Sequence, residues 1–113
     1  ASSAPEYFGD AALPNPEEAL VMALSSCHML TFLAVAARRR FTVDSYEDAA
    51  VGHMEKNESG RIAITRVELR PRVAFSGANR PTKDELAKLH EQAHHACFIA
   101  NSVRTEVTVV PLD

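Results

Sequence analysis

Three hydrophobic patterns divide the chain, and the longest comes first. From Asn15 to Ala37 the sequence NPEEALVMALSSCHMLTFLAVAA distributes Leu20, Val21, Met22, Leu24, Met29, Leu30, Phe32 and Leu33 over every face of a helix. A helix that is apolar all round belongs in a core. Its start is well marked, because Asn15 can cap, Pro16 suits the first helical position and Glu18 stands three residues after the cap. The second pattern alternates. Val67, Leu69, Pro71, Val73 and Phe75 keep one phase of a strand while Arg66, Glu68, Arg70 and Arg72 keep the other, so one face is buried and the other wet. Ile62 and Ile64 sit in the opposite phase, which predicts a bulge or twist near Thr65, and Pro71 predicts an edge or a bend. A weaker alternation over Tyr46–Lys56, reached through a connection at Phe41–Ser45, pairs with this strand across the turn Asn57-Glu58-Ser59-Gly60. The third pattern is helical again. Thr82-Lys83-Asp84-Glu85 forms a capping box, Leu86, Leu89, Ala93, Ala96 and Cys97 follow at helical spacing, and Asn101-Ser102 breaks the helix before a last strand from Val103 to Val110.

The resulting order α-β-β-α-β, with hairpin-linked strands, predicts an α+β fold with a largely antiparallel sheet. One domain over residues 1–113 is the expectation from length. Residues 1–14 read as an irregular lead-in rich in Ala, Ser and Pro; they carry no apolar run of the kind a signal peptide needs.

Composition changes this picture little. A hydrophobic content of 46% and a charged content of 24% are ordinary for a globular protein. The net charge of −3 includes no long charged block, which argues against a nucleic-acid or anionic-membrane partner. The first helix has the length of a membrane span, but Ser25, Ser26, His28 and Thr31 interrupt it, and Arg38-Arg39-Arg40 reads as cations placed at the negative end of a helix. Two cysteines are too few for a secreted disulfide framework, so a reducing, cytoplasmic compartment is expected.

Three arrangements could carry chemistry. Cys27 and Cys97 both sit on apolar helix faces. Two ordinary buried thiols would do the same, but Ser25, Ser26 and His28 around Cys27, and His94 one turn before Cys97, are polar company that a plain core does not need. Cys27 lies too far into its helix to feel the N-terminal dipole, and His28, the adjacent residue, points roughly 100° away, so ionisation of the thiol needs a cation from elsewhere. The second arrangement is His90-Glu91-Gln92-Ala93-His94, which matches the H-E-x-x-H pattern of zinc hydrolases without a downstream third ligand of the usual kind. The third would mix Cys27, His28, His94, His95 and Cys97 around zinc, although the close Cys-x-x-Cys knuckles of structural sites are absent from the sequence.

The segments NPEEALVMALSSCH and HEQAHHACFIANSVRTEV resemble the two cysteine segments of the OsmC/Ohr family of thiol peroxidases, and the intervening GRIAITRVELRPRVAF is similar as well. The resemblance implies an intertwined homodimer with the first helices central and the site at the subunit interface. It implies that Cys27 attacks the peroxide, that Cys97 resolves the sulfenic acid as a disulfide, and that an external dithiol reduces it. Organic hydroperoxides would be the substrates, oxidative stress defence the role, and no metal or organic cofactor would be needed. Glu17 matches the family's active-site Glu. About 15 Å of helix rise separates Glu17 from Cys27, so the two would meet only across a two-fold axis, from different subunits. The family's partner Arg precedes the Asn-Pro-Glu segment, whereas no Arg or Lys precedes Arg38 here, and Phe98 stands where many members have Pro. The family's leading strands have no counterpart before Asn15. A non-catalytic protein that binds small molecules or acyl chains in the same fold is the alternative.

Overall fold

A computed structural model describes residues 15–113; the expected lead-in over residues 1–14 lies outside the described residues. The first helix, α1, spans Pro16–Arg38, and the Asn15 side chain accepts a hydrogen bond from the Glu18 N–H at 2.8 Å. It ends where Arg40 turns to φ 60° and the Phe41 N–H reaches back to the Ala36 carbonyl at 3.0 Å. That is the left-handed cap that closes a helix by returning the chain on itself.

Each expected arm of the hairpin is divided in two. The first arm comprises β1 (Thr42–Asp48) and β2 (Val51–Lys56), the second β3 (Ile62–Leu69) and β4 (Pro71–Ser76). The pairs are β1 with β4 and β2 with β3, both antiparallel. Thr42–Asp48 therefore corrects the expected connection at Phe41–Ser45. Its alternation is broken by a bulge at Asp44, since Val43 pairs with Phe75 while Ser45 pairs with Ala74. The extra residue puts the two inward side chains, Val43 and Tyr46, three positions apart, and a period of two cannot be read across it. The bulge expected near Thr65 is present. His53 pairs with Arg66 and Met54 with Ile64, so Thr65 is the unpaired residue, and the phase of the buried positions switches there to Val67 and Leu69.

The division between the two sheets falls at Arg70-Pro71, where proline removes a ladder donor. Asp48 pins the bend: its carboxylate accepts the Arg70 N–H at 2.7 Å and the Ser25 hydroxyl of α1 at 2.5 Å. The second long helix, α2, spans Lys83–Ala96 behind a complete capping box, with Thr82 and Glu85 bonded reciprocally at 2.9 and 3.1 Å. A short α3 (Phe98–Ser102) and β5 (Glu106–Val109) complete the chain. β5 joins β3 in parallel, which makes the three-stranded sheet mixed where an antiparallel arrangement was expected.

The core has two halves strung along α1. Phe32, Val35 and Ala36 pack with Phe41, Leu89 and Ala93 between α1, α2 and the β1–β4 sheet. Leu24 packs with Val67 and Leu69 against the β2–β3–β5 sheet, with Ala100 and Val103 at its margin. Only one stripe of α1 is buried in this way within a single chain; Met22 is 55% and Leu30 63% exposed.

β2 approaches α1 most closely at Gly52, where an added methyl group would lie 2.7 Å from Val21 Cγ2. Val21 is β-branched and stiff at χ1, so the strand would have to shift. Gly52→Ala is expected to destabilise the fold by about 1–3 kcal/mol, read as a lower urea midpoint.

Candidate active site

Cys27 lies near the middle of α1 beside the buried stripe, and is itself only partly buried, whereas Cys97 is fully buried. Cys97 is not inside a helix as the spacing suggested. It is the joint between α2 and α3, with φ −72° and ψ 111°, serving as C-cap of one and N-cap of the other. Extended backbone at this joint turns the first N–H groups of α3 back toward α1.

Those groups decide the state of the nearer thiol. Burial pushes Cys27 toward the protonated form, but a hydrogen bond from the Cys97 thiol and hydrogen bonds from the backbone N–H groups of Ile99 and Phe98 outweigh it, and the Cys27 pKa is lowered. Thr31 adds to the effect from one turn along α1, and its hydroxyl also donates to the Cys27 carbonyl at 2.8 Å. The Cys97 pKa moves the other way, raised by burial and by its bond to Cys27. The pair is thus polarised, with ionisation favoured at the partly buried Cys27 and the proton favoured on the buried Cys97. Among the described residues the donors that lower the Cys27 pKa include backbone amides that no side-chain motif announces. FIANS is only five residues long, and a segment that short gives no periodicity from which a helix start could be read.

Glu17, the third expected site residue, is in the first turn of the unbroken helix α1. The helix rise keeps it about 15 Å from Cys27, so one chain does not bring it to the thiols.

The histidines do something unexpected. His28 and His90 meet edge to edge in the core, nearly coplanar, with ring planes 5° apart, centroids 5.3 Å apart and His28 Nε2 3.0 Å from His90 Nδ1. They are 1% and 3% exposed. Phe32 lies on the other side of His90 at 4.4 Å. His90 is therefore committed to the core, which overturns the H-E-x-x-H reading. Among the described residues no group of three or more His, Cys, Asp or Glu side chains could hold a metal ion, so the mixed zinc arrangement falls with it. Helical spacing did show that His28 faces away from Cys27; it could not show that His90 was the residue it faced.

The OsmC-like protein family model matches residues 9–111. The chain belongs to that family. Among solved structures, an OsmC-like protein of unknown function from Vibrio cholerae is 50% identical with a TM-score of 0.95, the match covering 99% of this chain and 75% of that one. An organic hydroperoxide resistance protein from Elizabethkingia anophelis shares the fold at 21% identity and a TM-score of 0.72, covering 96% and 74% of the two chains. An organic hydroperoxide resistance protein OsmC from Legionella pneumophila does so at 17% identity and 0.66, covering 97% and 76%. The comparison with curated protein sequences returned no match. Family membership of this OsmC-like chain supports a peroxidase-like role at the level of the family.

Burial holds both imidazoles neutral, at a pKa of about 4 for His28 and about 4 for His90, and a charge on His94 adds to the effect at His28 while Asp48 opposes it. The unfolded chain, with histidines near the ordinary 6.5, therefore binds more protons between these values. Stability is full above about pH 6.5 and is lost as pH falls toward 4. The melting temperature should drop by at least about 4 °C across that window, and the drop should shrink in His28→Gln/His90→Asn, whose side chains do not titrate.

Proposed function

We propose that this OsmC-like protein is a thiol peroxidase that reduces organic hydroperoxides with Cys27 and Cys97. The observation that carries the reading is the polarised thiol pair: Cys27 stands partly open, and the neighbouring Cys97 thiol and the Phe98 and Ile99 amides favour its ionised form. The Cys27 thiolate attacks the distal oxygen of ROOH, the O–O bond breaks, and the leaving alkoxide takes a proton to depart as ROH. Cys27 is left as the sulfenic acid. The Cys97 thiol then attacks the sulfenic sulfur, water leaves with the Cys97 proton, and a Cys27–Cys97 disulfide forms. An external dithiol reduces it by two exchanges, giving its own two hydrogens to the cysteines and becoming a disulfide. The relatives named for organic hydroperoxide resistance support this choice of substrate.

The working unit in this proposal is a homodimer. Met22 and Leu30 project from α1 away from the core, and Phe98, next to Cys97 in the chain, is 81% exposed; a second copy packed on the outer face of α1 would cover Met22 and Leu30. Antiparallel α1 helices would then bring Glu17 of one protomer toward Cys27 of its partner. Met22→Lys/Leu30→Lys should sediment as a monomer at concentrations where the native chain is dimeric.

Cys27→Ser is expected to abolish turnover of cumene hydroperoxide with dithiothreitol. Cys97→Ser should still consume about one equivalent of peroxide per chain and accumulate a Cys27 sulfenic acid that dimedone traps. Undiminished turnover by Cys27→Ser would show the reading wrong and leave the non-catalytic binding protein as the better account.

A further inference from the structure

The two cysteines reside on different helices, and the two buried imidazoles join those same helices. His28 directly follows Cys27 on α1, and His90 precedes Cys97 by two turns of α2. We propose that the hydrogen-bonded His28–His90 contact is a positioning pair: with both rings neutral it fixes α1 against α2, and charging it with acid loosens that contact and parts the two thiols. The proposal rests on the reading of Cys27 and Cys97 as a working pair.

The geometry supports a device sensitive to charge. A neutral imidazole carries one N–H, so the bond across 3.0 Å uses one ring as donor and the other as acceptor. The outer nitrogens, His28 Nδ1 and His90 Nε2, make no hydrogen bond to the protein. A leucine or phenylalanine would fill either place without stranding a polar atom, so packing alone does not require this pair. A proton added to it brings a charge into a space walled by Phe32, with Phe75 behind that ring. The ionisable groups that face the pair are few. From β1, the Asp48 carboxylate favours a charge on His28, but its oxygens are already taken by Ser25 and Arg70 N–H, and the Tyr46 hydroxyl is buried without a partner. From α2, His94 opposes the charge. A disulfide needs Cβ atoms about 3.5–4.5 Å apart, so a small slip of α1 along α2 is enough to separate the sulfurs.

The test uses phenylarsine oxide, whose trivalent arsenic binds tightly only when two thiols reach it together. Its affinity for the reduced full chain is measured from about pH 7 to about pH 4 and divided by its affinity for free dithiothreitol at each pH. Circular dichroism follows the fold, and NMR of the imidazole carbons follows the two rings. The affinity ratio is expected to fall by about tenfold as His28 and His90 charge, while the helical signal persists. In His28→Gln/His90→Asn, which keeps a bond at this place but cannot charge, the ratio should stay level. An unchanged ratio in the native chain, or a fall that merely follows global unfolding, overturns the proposal even if the double variant does not fold. Because no peroxide is involved, the peroxidase reading can fail while this one stands.

Discussion

Everything at the candidate site depends on how α1 is held at its midpoint. Leu24 belongs to one half of the core and Phe32 to the other, and His28 lies between them. The two sheets part at the same level, at Arg70-Pro71, and Asp48 ties that bend to Ser25, one turn before His28. A helix clamped at its centre by polar contacts and at both ends by apolar ones has little freedom to slide. Cys27 inherits that rigidity, and the joint at Cys97 can be aimed at it.

The activation of Cys27 follows from the same placement. A cation would stabilise the thiolate from a distance, whereas amide donors must be aimed. The Cys97 thiol and the Phe98 and Ile99 amides lower the Cys27 pKa only while the backbone that carries them is fixed. The extended geometry of Cys97 and the bond from the Asn101 N–H to the Cys97 carbonyl at 3.0 Å supply that fixity. The same arrangement raises the pKa of Cys97, so the second sulfur keeps the proton that the proposed resolving step would remove.

What could be read from the residues was local. Asn15, Pro16 and Thr82 marked the helix starts because capping needs only neighbouring atoms, and the phase change between Ile64 and Val67 marked the bulge at Thr65. The first part of β1, Thr42 to Ser45, was missed because its bulge at Asp44 cancels the alternation, whereas Tyr46 to Asp48 fell within the expected strand. The division at Arg70-Pro71 was half legible, since proline signals a bend but not that the sheets part there. The parallel docking of β5 is a decision between distant segments and leaves no local trace. At the site, Cys27 and Cys97 were found because thiols are rare, and the helical offset of His28 from Cys27 was a matter of angle alone. The His28–His90 contact was not visible: a histidine at a core position looks the same in sequence whether it faces solvent, a metal or another ring.

The remaining tension is in α1 itself. A helix that served only one core would carry one apolar stripe, yet this one is apolar almost all round, and in a single chain it leaves Met22 and Leu30 in water. Exposing such surface costs about 25 cal/mol per Å², with nothing among the described residues to offset it. The proposed second copy removes that cost and moves Glu17 toward the other subunit's Cys27 in the same step. On this argument the apolar outer face and the distant carboxylate are two consequences of one arrangement. The inner face of α1 positions the thiols within a chain, and the outer face would complete the site between chains.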